Sequence, residues 1–190
     1  MRDRTCCFTG HRDLPIQGRE ELAAKLEHTI IGLIDRGIQF YGAGGARGFD
    51  TLAAQTVLKL KERYPHIKLI LILPCLTQTK NWPTTDVEEY ERIKALADRV
   101  VYTSQEYTKD CMHKRNRHLV DHSSVCVCYL ANNNSGTAYT VNYARKMGRE
   151  IILIDPATLN IIHRENCKDK TEPSKDCQSH TKPPPKGAGT

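Results

Sequence analysis

The chain has 190 residues, 39% of them hydrophobic and 26% charged, and carries a formal net charge of +6 at pH 7. That length suits one core-forming domain with an appendage, and the charge excess is too mild for the concentrated basic face of a dedicated duplex-DNA binder. No apolar run reaches the roughly 18 residues of a membrane span, and the start MRDRTCCFTGHRD has no signal-peptide core, so a cytoplasmic protein with no membrane partner is expected. Of the cysteines, Cys6, Cys7, Cys126 and Cys128 sit inside strand-like runs, and the chain contains no C-x-x-C pair. Buried thiols are therefore expected, with no disulfide framework, no metal site and no resident cofactor.

Arg4 to Thr9 predicts a first strand, closed by the turn Gly10-His11-Arg12. Leu22, Leu26, Ile30, Leu33 and Ile34 then recur near the helical period, and Gly37 supplies a stop. Ile38 to Tyr41 predicts a second strand that runs into GAGGARGFD, after which Phe49, Leu52, Ala53, Val57 and Leu60 share one helical face. The continuous apolar run Ile67 to Leu73 reads as a strand covered on both faces. A polar connector, LTQTKNWPTT, precedes a helix from about Thr85 to Ala97, a strand from Arg99 to Thr103, a helix from Met112 to His122 and a strand from Val125 to Leu130. The loop ANNNSGT opens another helix, with Ala138, Val141 and Ala144 aligned and Gly148 as its stop, and Ile151 to Ile154 closes the set. This alternation specifies an α/β fold: a Rossmann-like, doubly wound, mostly parallel sheet of about six strands with helices on both faces. The domain is expected to span residues 1–155. Residues 156–190, charged and proline-rich, are expected to form a disordered tail.

In such sheets the ligand crevice lies at the carboxyl ends of the strands, and every unusual motif here falls at such an end. The glycine loop is not a dinucleotide fingerprint, because the third required glycine is replaced by Arg47 and the next strand ends in Pro74 without an acid. Nor is it a nucleoside-triphosphate loop, since no Gly-Lys-Ser/Thr triplet is present. In a purely architectural reading the glycines make a tight turn, Asp50 caps the following helix and Arg47 is solvated. Ser135 likewise caps its helix, while Gly136 and Thr137 offer a second set of helix N-terminal amides to an anion.

Taken together, these segments resemble the SLOG superfamily, which joins DprA-type DNA-processing proteins, Lonely Guy phosphoribohydrolases and YpsA-like proteins. GGARGFDTLAA resembles the glycine-arginine loop of DprA. MHKRNRHLVDHSSVCVCYLANNNSGTAYT is similar to segments of both DprA and the Lonely Guy enzymes, and CCFTGHR with KNW looks most like YpsA-type proteins. The similarity covers residues 4–154.

The resemblance implies a pocket for a small nucleotide-derived ligand such as AMP or ADP-ribose, and a homodimer formed through helices. Gly44, Gly45 and Gly48 would let the loop approach that ligand; Arg47 and Arg115 would each present a forked donor to phosphate. Asn116 would bond a sugar hydroxyl and Thr137 the phosphate, with Gly10, His11 and Arg12 lining the same crevice and Trp82 lying over a base. Ser135 and Gly136 complete the set, and no catalytic residue is assigned. The Lonely Guy enzymes carry a catalytic glutamate where this chain has Thr140, and a hydroxyl does not replace a carboxylate beside an oxocarbenium-like state. Binding or sensing is therefore expected ahead of N-glycosidic hydrolysis with Asp50 as the acid. Single-stranded nucleic-acid binding, through the basic helix around Arg115 and Arg117 with stacking on Trp82 or Tyr102, stands third.

Overall fold

The structure is a computed structural model and describes residues 1–164. Seven strands form one sheet: β1 (Thr5–Gly10), β2 (Phe40–Ala43), β3 (Lys68–Leu73), β4 (Arg99–Tyr102), β5 (Val125–Tyr129), β6 (Glu150–Ile154) and β7 (Ile161–Arg164). Their spatial order is β4-β3-β2-β1-β5-β6-β7. The first six are parallel, and β7 runs antiparallel to β6. Five helices connect them: α1 (Arg19–Asp35), α2 (Phe49–Lys61), α3 (Thr84–Leu96), α4 (Cys111–Asp121) and α5 (Gly136–Lys146).

The period of two along the strands divides the interior into two cores. Cys6 and Phe8 of β1 and Val125, Val127 and Tyr129 of β5 join the side chains of α1, α2 and α3, including Leu22, Leu26, Val57, Leu60 and Ile93. Cys7, Cys126 and Cys128 point the other way, against Leu119 and Val120 of α4 and Val141 and Ala144 of α5. Six cysteines among the described residues are buried free thiols, and the three on this face are small enough to let α4 and α5 lie close to the sheet. This is the Rossmann-like α/β architecture the sequence predicts.

Two local features depart from the sequence reading. Ile38 precedes β2 instead of starting it: Gly37 takes a φ of 88°, Ile38 donates back to the Leu33 carbonyl at 3.0 Å, and the buried Ile38 side chain closes the end of α1. A seventh strand also lies beyond the boundary at residue 155. Asp155 accepts bonds from the amides of Ala157 and Thr158, each at 2.9 Å, and Leu159 turns into the left-handed region at φ 53°, which reverses the chain onto β6. The rest of the expected tail, residues 165–190, lies outside the described residues.

The chain winds outward from β1 to β4, then crosses to the other side of β1 to place β5. The strand order reverses between β1 and β5, so the connections leaving these two strands diverge and open a crevice at their carboxyl ends. At the opposite pole Arg36, at the end of α1, forms a two-pronged pair with Glu150 at the start of β6.

Two outcomes follow for stability. A Cβ at Gly10 would lie 2.4 Å from Phe49, whereas nothing approaches within 4 Å of one at Gly32. In urea unfolding, Gly10→Ala should lose about 1–3 kcal/mol, while Gly32→Ala, inside α1, should gain about 0.5–1 kcal/mol. The Arg36 guanidinium holds the Glu150 carboxyl below its ordinary range. Its stabilisation is therefore present above the unfolded value of about 4.3 and lost as pH falls through the lower folded value, so Glu150→Gln should flatten the acid limb of a stability-versus-pH curve.

Candidate functional site

The loop from Gly44 to Gly48 joins β2 to α2, and its glycines bring protein against protein. A Cβ at Gly44 would fall 1.3 Å from Nη1 of Arg115, so the guanidinium occupies the space that any other residue would fill. Gly48 has a φ of 73°, and its Cβ would meet the Arg12 carbonyl oxygen at 2.2 Å. Gly45 turns the loop beneath Tyr90, and its carbonyl accepts a bond from Gln78 Nε2 at 2.9 Å. This corrects the expectation that these three glycines open the loop to a ligand: the close approaches they permit are made by Arg115, by the turn after β1 and by the connector after β3.

The amides of Gly44 and Ala46 are already used. Both donate to Asp50 Oδ2, at 3.1 and 3.4 Å, and Arg115 Nη1 reaches the same oxygen at 3.3 Å. Asp50 is 5% exposed and Arg115 6%. Burial pushes the Asp50 carboxyl above its ordinary range, with Arg115 and the two amides opposing that shift. The pair links α2 on one face of the sheet to α4 on the other. Arg115 is thus a buried counter-ion for Asp50 and not the free phosphate fork that was expected, although its Nε lacks a hydrogen-bond partner.

Above this pair lies a cleft of about 330 Å³, lined by Gly10, His11, Arg12, Asp50, Arg115, Asn116, Ser135, Gly136 and Thr137 together with Thr9, Asp13 and Met112. Nine of the fourteen residues expected at the site therefore converge here. The turn after β1 is clamped from two sides: the His11 carbonyl accepts the Phe49 amide, and His11 Nε2 accepts the Asn132 amide, each at 3.1 Å. That bond fixes His11 as an acceptor at Nε2 and ties the β1 turn to the loop after β5. Ser135 caps α5, accepting from the Ala138 amide at 3.2 Å, while its hydroxyl donates to the Asn132 carbonyl at 2.8 Å. The first amides of α5, at Gly136 and Thr137, have no intrahelical acceptor and stand at the cleft wall. Thr140 donates to the Gly136 carbonyl at 2.8 Å and is 1% exposed, so its hydroxyl is turned into its own helix.

Arg47 and Trp82 line a second cleft, of about 600 Å³, with Gln78, Lys80, Asn81 and Tyr107. The Arg47 guanidinium lies over the Trp82 ring, 5.9 Å from its centroid, and pairs with Asp86 at 3.2 Å. Trp82 in turn packs edge-on against Tyr90 at 5.6 Å. It anchors the connector and does not cover the first cleft. Arg12 and Met112 belong to both linings. Met112 heads the MHKRNR segment of α4 but was given no role there, and Gln78 and Tyr107 escaped the sequence reading because they sit in no glycine motif and no charge pattern; only their place after strand ends could have pointed to those two. The other basic residues of α4 are dispersed, with Arg117 bonded to Asp110 and to the Tyr139 hydroxyl, each at 2.9 Å. Among the described residues no group of three or more His, Cys, Asp and Glu is placed to hold a metal, and no helix is long and apolar enough to cross a membrane.

Removing one member of the buried pair leaves the other uncompensated. Asp50→Leu alone should cost about 3–5 kcal/mol in urea unfolding, and adding Arg115→Met should recover most of that loss. A double variant no more stable than the single one would show that the pair is not the source of the cost.

The chain is similar to the SPbeta prophage-derived protein YoqJ of Bacillus subtilis, with 32% identity over 127 residues, 60% of this chain and 74% of that protein. It is 30% identical to the UPF0398 protein BH1768 of Halalkalibacterium halodurans over 147 residues, 74% of this chain and 78% of that one. Among solved structures the fold resembles DNA processing protein A from Streptococcus pneumoniae (TM-score 0.60, 18% identity, 78% of this chain and 49% of that one). It also resembles DNA processing protein A from Helicobacter pylori, described by its single-stranded DNA binding mode (TM-score 0.58, 18% identity, 78% of this chain and 64% of that one). The profile of the YspA SLOG family matches residues 7–159, a span that takes in the glycine loop, the buried pair and both clefts, and the chain belongs to that family.

Proposed function

We propose that the protein binds or senses a small nucleotide or nucleotide-derived ligand, of the AMP or ADP-ribose kind, in the crevice between the carboxyl ends of β1 and β5. The observation that carries this reading is the wall of the cleft where the strand order reverses: the uncommitted N-terminal amides of α5 at Gly136 and Thr137, with Arg12 on the same lining. Helix N-terminal amides and an exposed guanidinium are the groups that hold a phosphate. Asn116 and Met112 line the same cleft, and in this reading Asn116 bonds a sugar hydroxyl while Met112 offers an apolar surface to a base.

The same residues argue against turnover. Thr140 stands where the Lonely Guy enzymes carry their glutamate, and its hydroxyl is bonded within α5. Asp50, the other acid considered, is committed to two amides and Arg115 at 5% exposure. The residues that make α4 basic also argue against a strand of nucleic acid lying along that helix, since Arg115 is buried and Arg117 is paired with Asp110.

Thermal unfolding with AMP and ADP-ribose tests the reading. A ligand at 100 times its dissociation constant adds about 2.7 kcal/mol of stability, which is a readily measured rise in Tm. Arg12→Ala should remove most of that rise without lowering the Tm of the free protein. No rise with either nucleotide would overturn the proposal, and release of free base on incubation would replace binding with N-glycosidic hydrolysis.

A further inference from the structure

A mononucleotide in the first cleft leaves the second one unexplained. At about 600 Å³ the second cleft is the larger, and it shares Arg12 and Met112 with the first, so the two are contiguous along the carboxyl edge of the sheet. Its lining carries Arg12, Arg47 and Lys80 and no carboxylate. Its floor is fixed, because Gln78 donates to the Gly45 carbonyl and Arg47 is held between Trp82 and Asp86. At its rim Tyr107 is 65% exposed, a large aromatic ring with no core to serve, in the polar loop that leads into α4.

We propose that this second cleft takes a second nucleoside, so that the full ligand is two nucleoside units joined through phosphate. This rests on the nucleotide reading of the first cleft. Arg12, common to both linings, sits at the phosphate bridge; Lys80 adds charge to the far side; Tyr107 stacks on the second base. An aromatic ring stacks on any base, whereas Arg12 and Lys80, lining cations with no carboxylate partner among the described residues, select for the anionic bridge. The same chemistry is offered by a free dinucleotide and by two neighbouring units of a single strand.

Calorimetric titration of the full chain with AMP, ADP-ribose, diadenosine pyrophosphate and a short oligodeoxyadenylate separates the cases. ADP-ribose carries the pyrophosphate and second sugar but not the second base. Diadenosine pyrophosphate should therefore bind roughly ten-fold or more tighter than ADP-ribose, as expected for one added base stack. Tyr107→Ala should abolish that advantage and Lys80→Ala should reduce it, both leaving AMP affinity unchanged, which also shows that the variants are folded. Equal affinities for ADP-ribose and diadenosine pyrophosphate, or variants without effect, would overturn the second subsite while the first stands. Failure of all four probes to bind would overturn the nucleotide reading and this inference with it. An oligonucleotide that outcompetes diadenosine pyrophosphate, with affinity falling steeply as salt rises, would assign the two units to a strand; one that does not would assign them to a free dinucleotide.

Discussion

One buried ion pair sets the geometry of the carboxyl edge. Asp50 belongs to α2 and Arg115 to α4, helices on opposite faces of the sheet, and their side chains meet over the end of β2. An isolated charge in that position would be costly, so each residue requires the other, and the two loop amides that Asp50 accepts make the glycine loop part of the same network. The space for the guanidinium exists only because residue 44 has no side chain. The loop after β2, the N-terminus of α2 and the middle of α4 are thereby fixed relative to one another, and the turn after β1 is packed onto the same assembly through Gly48 and Phe49.

The fold was legible because the hydrophobic pattern reports burial: the helices repeat their apolar residues at the helical period, and the central strands β1 and β5, covered on both faces, read as short continuous apolar runs. Cys7, Cys126 and Cys128 read as buried thiols for the same reason. β7 was not legible: four residues behind a polar stretch give too short a pattern, and its partner strand is what selects it. The site was legible in part. Glycines beside a strand end announced a close approach, but sequence cannot say whether the approaching group is a phosphate or the protein's own arginine. Here it is the arginine, and the amides that stand at the cleft wall belong to the second motif, Ser135-Gly136-Thr137. Trp82 illustrates the same limit, since a lone indole in a loop packs on Tyr90 as naturally as it would on a base.

The distribution of polar groups separates architecture from recognition. Asp50, Arg115, His11 and Ser135 spend their hydrogen bonds on backbone and on each other, which makes the cleft rigid. Among the described residues, the first amides of α5, the Arg12 side chain and, along the adjoining groove, the side chains of Lys80 and Tyr107 have no hydrogen-bond or ion-pair partner. Arg12 combines both roles. Its backbone carbonyl lies against Gly48, and the residue lines both clefts.

The direction of β7 has a topological consequence. Because it runs antiparallel to β6, with Arg164 opposite Ile151, it carries the chain from the carboxyl edge back to the amino edge of the sheet, beside the Arg36–Glu150 clasp. Four residues at about 3.3 Å each place that exit on the order of 13 Å from the edge that holds the clefts. The last described residue, Arg164, therefore lies at the pole opposite the clefts, and the two ends of β7 belong to opposite edges of the sheet.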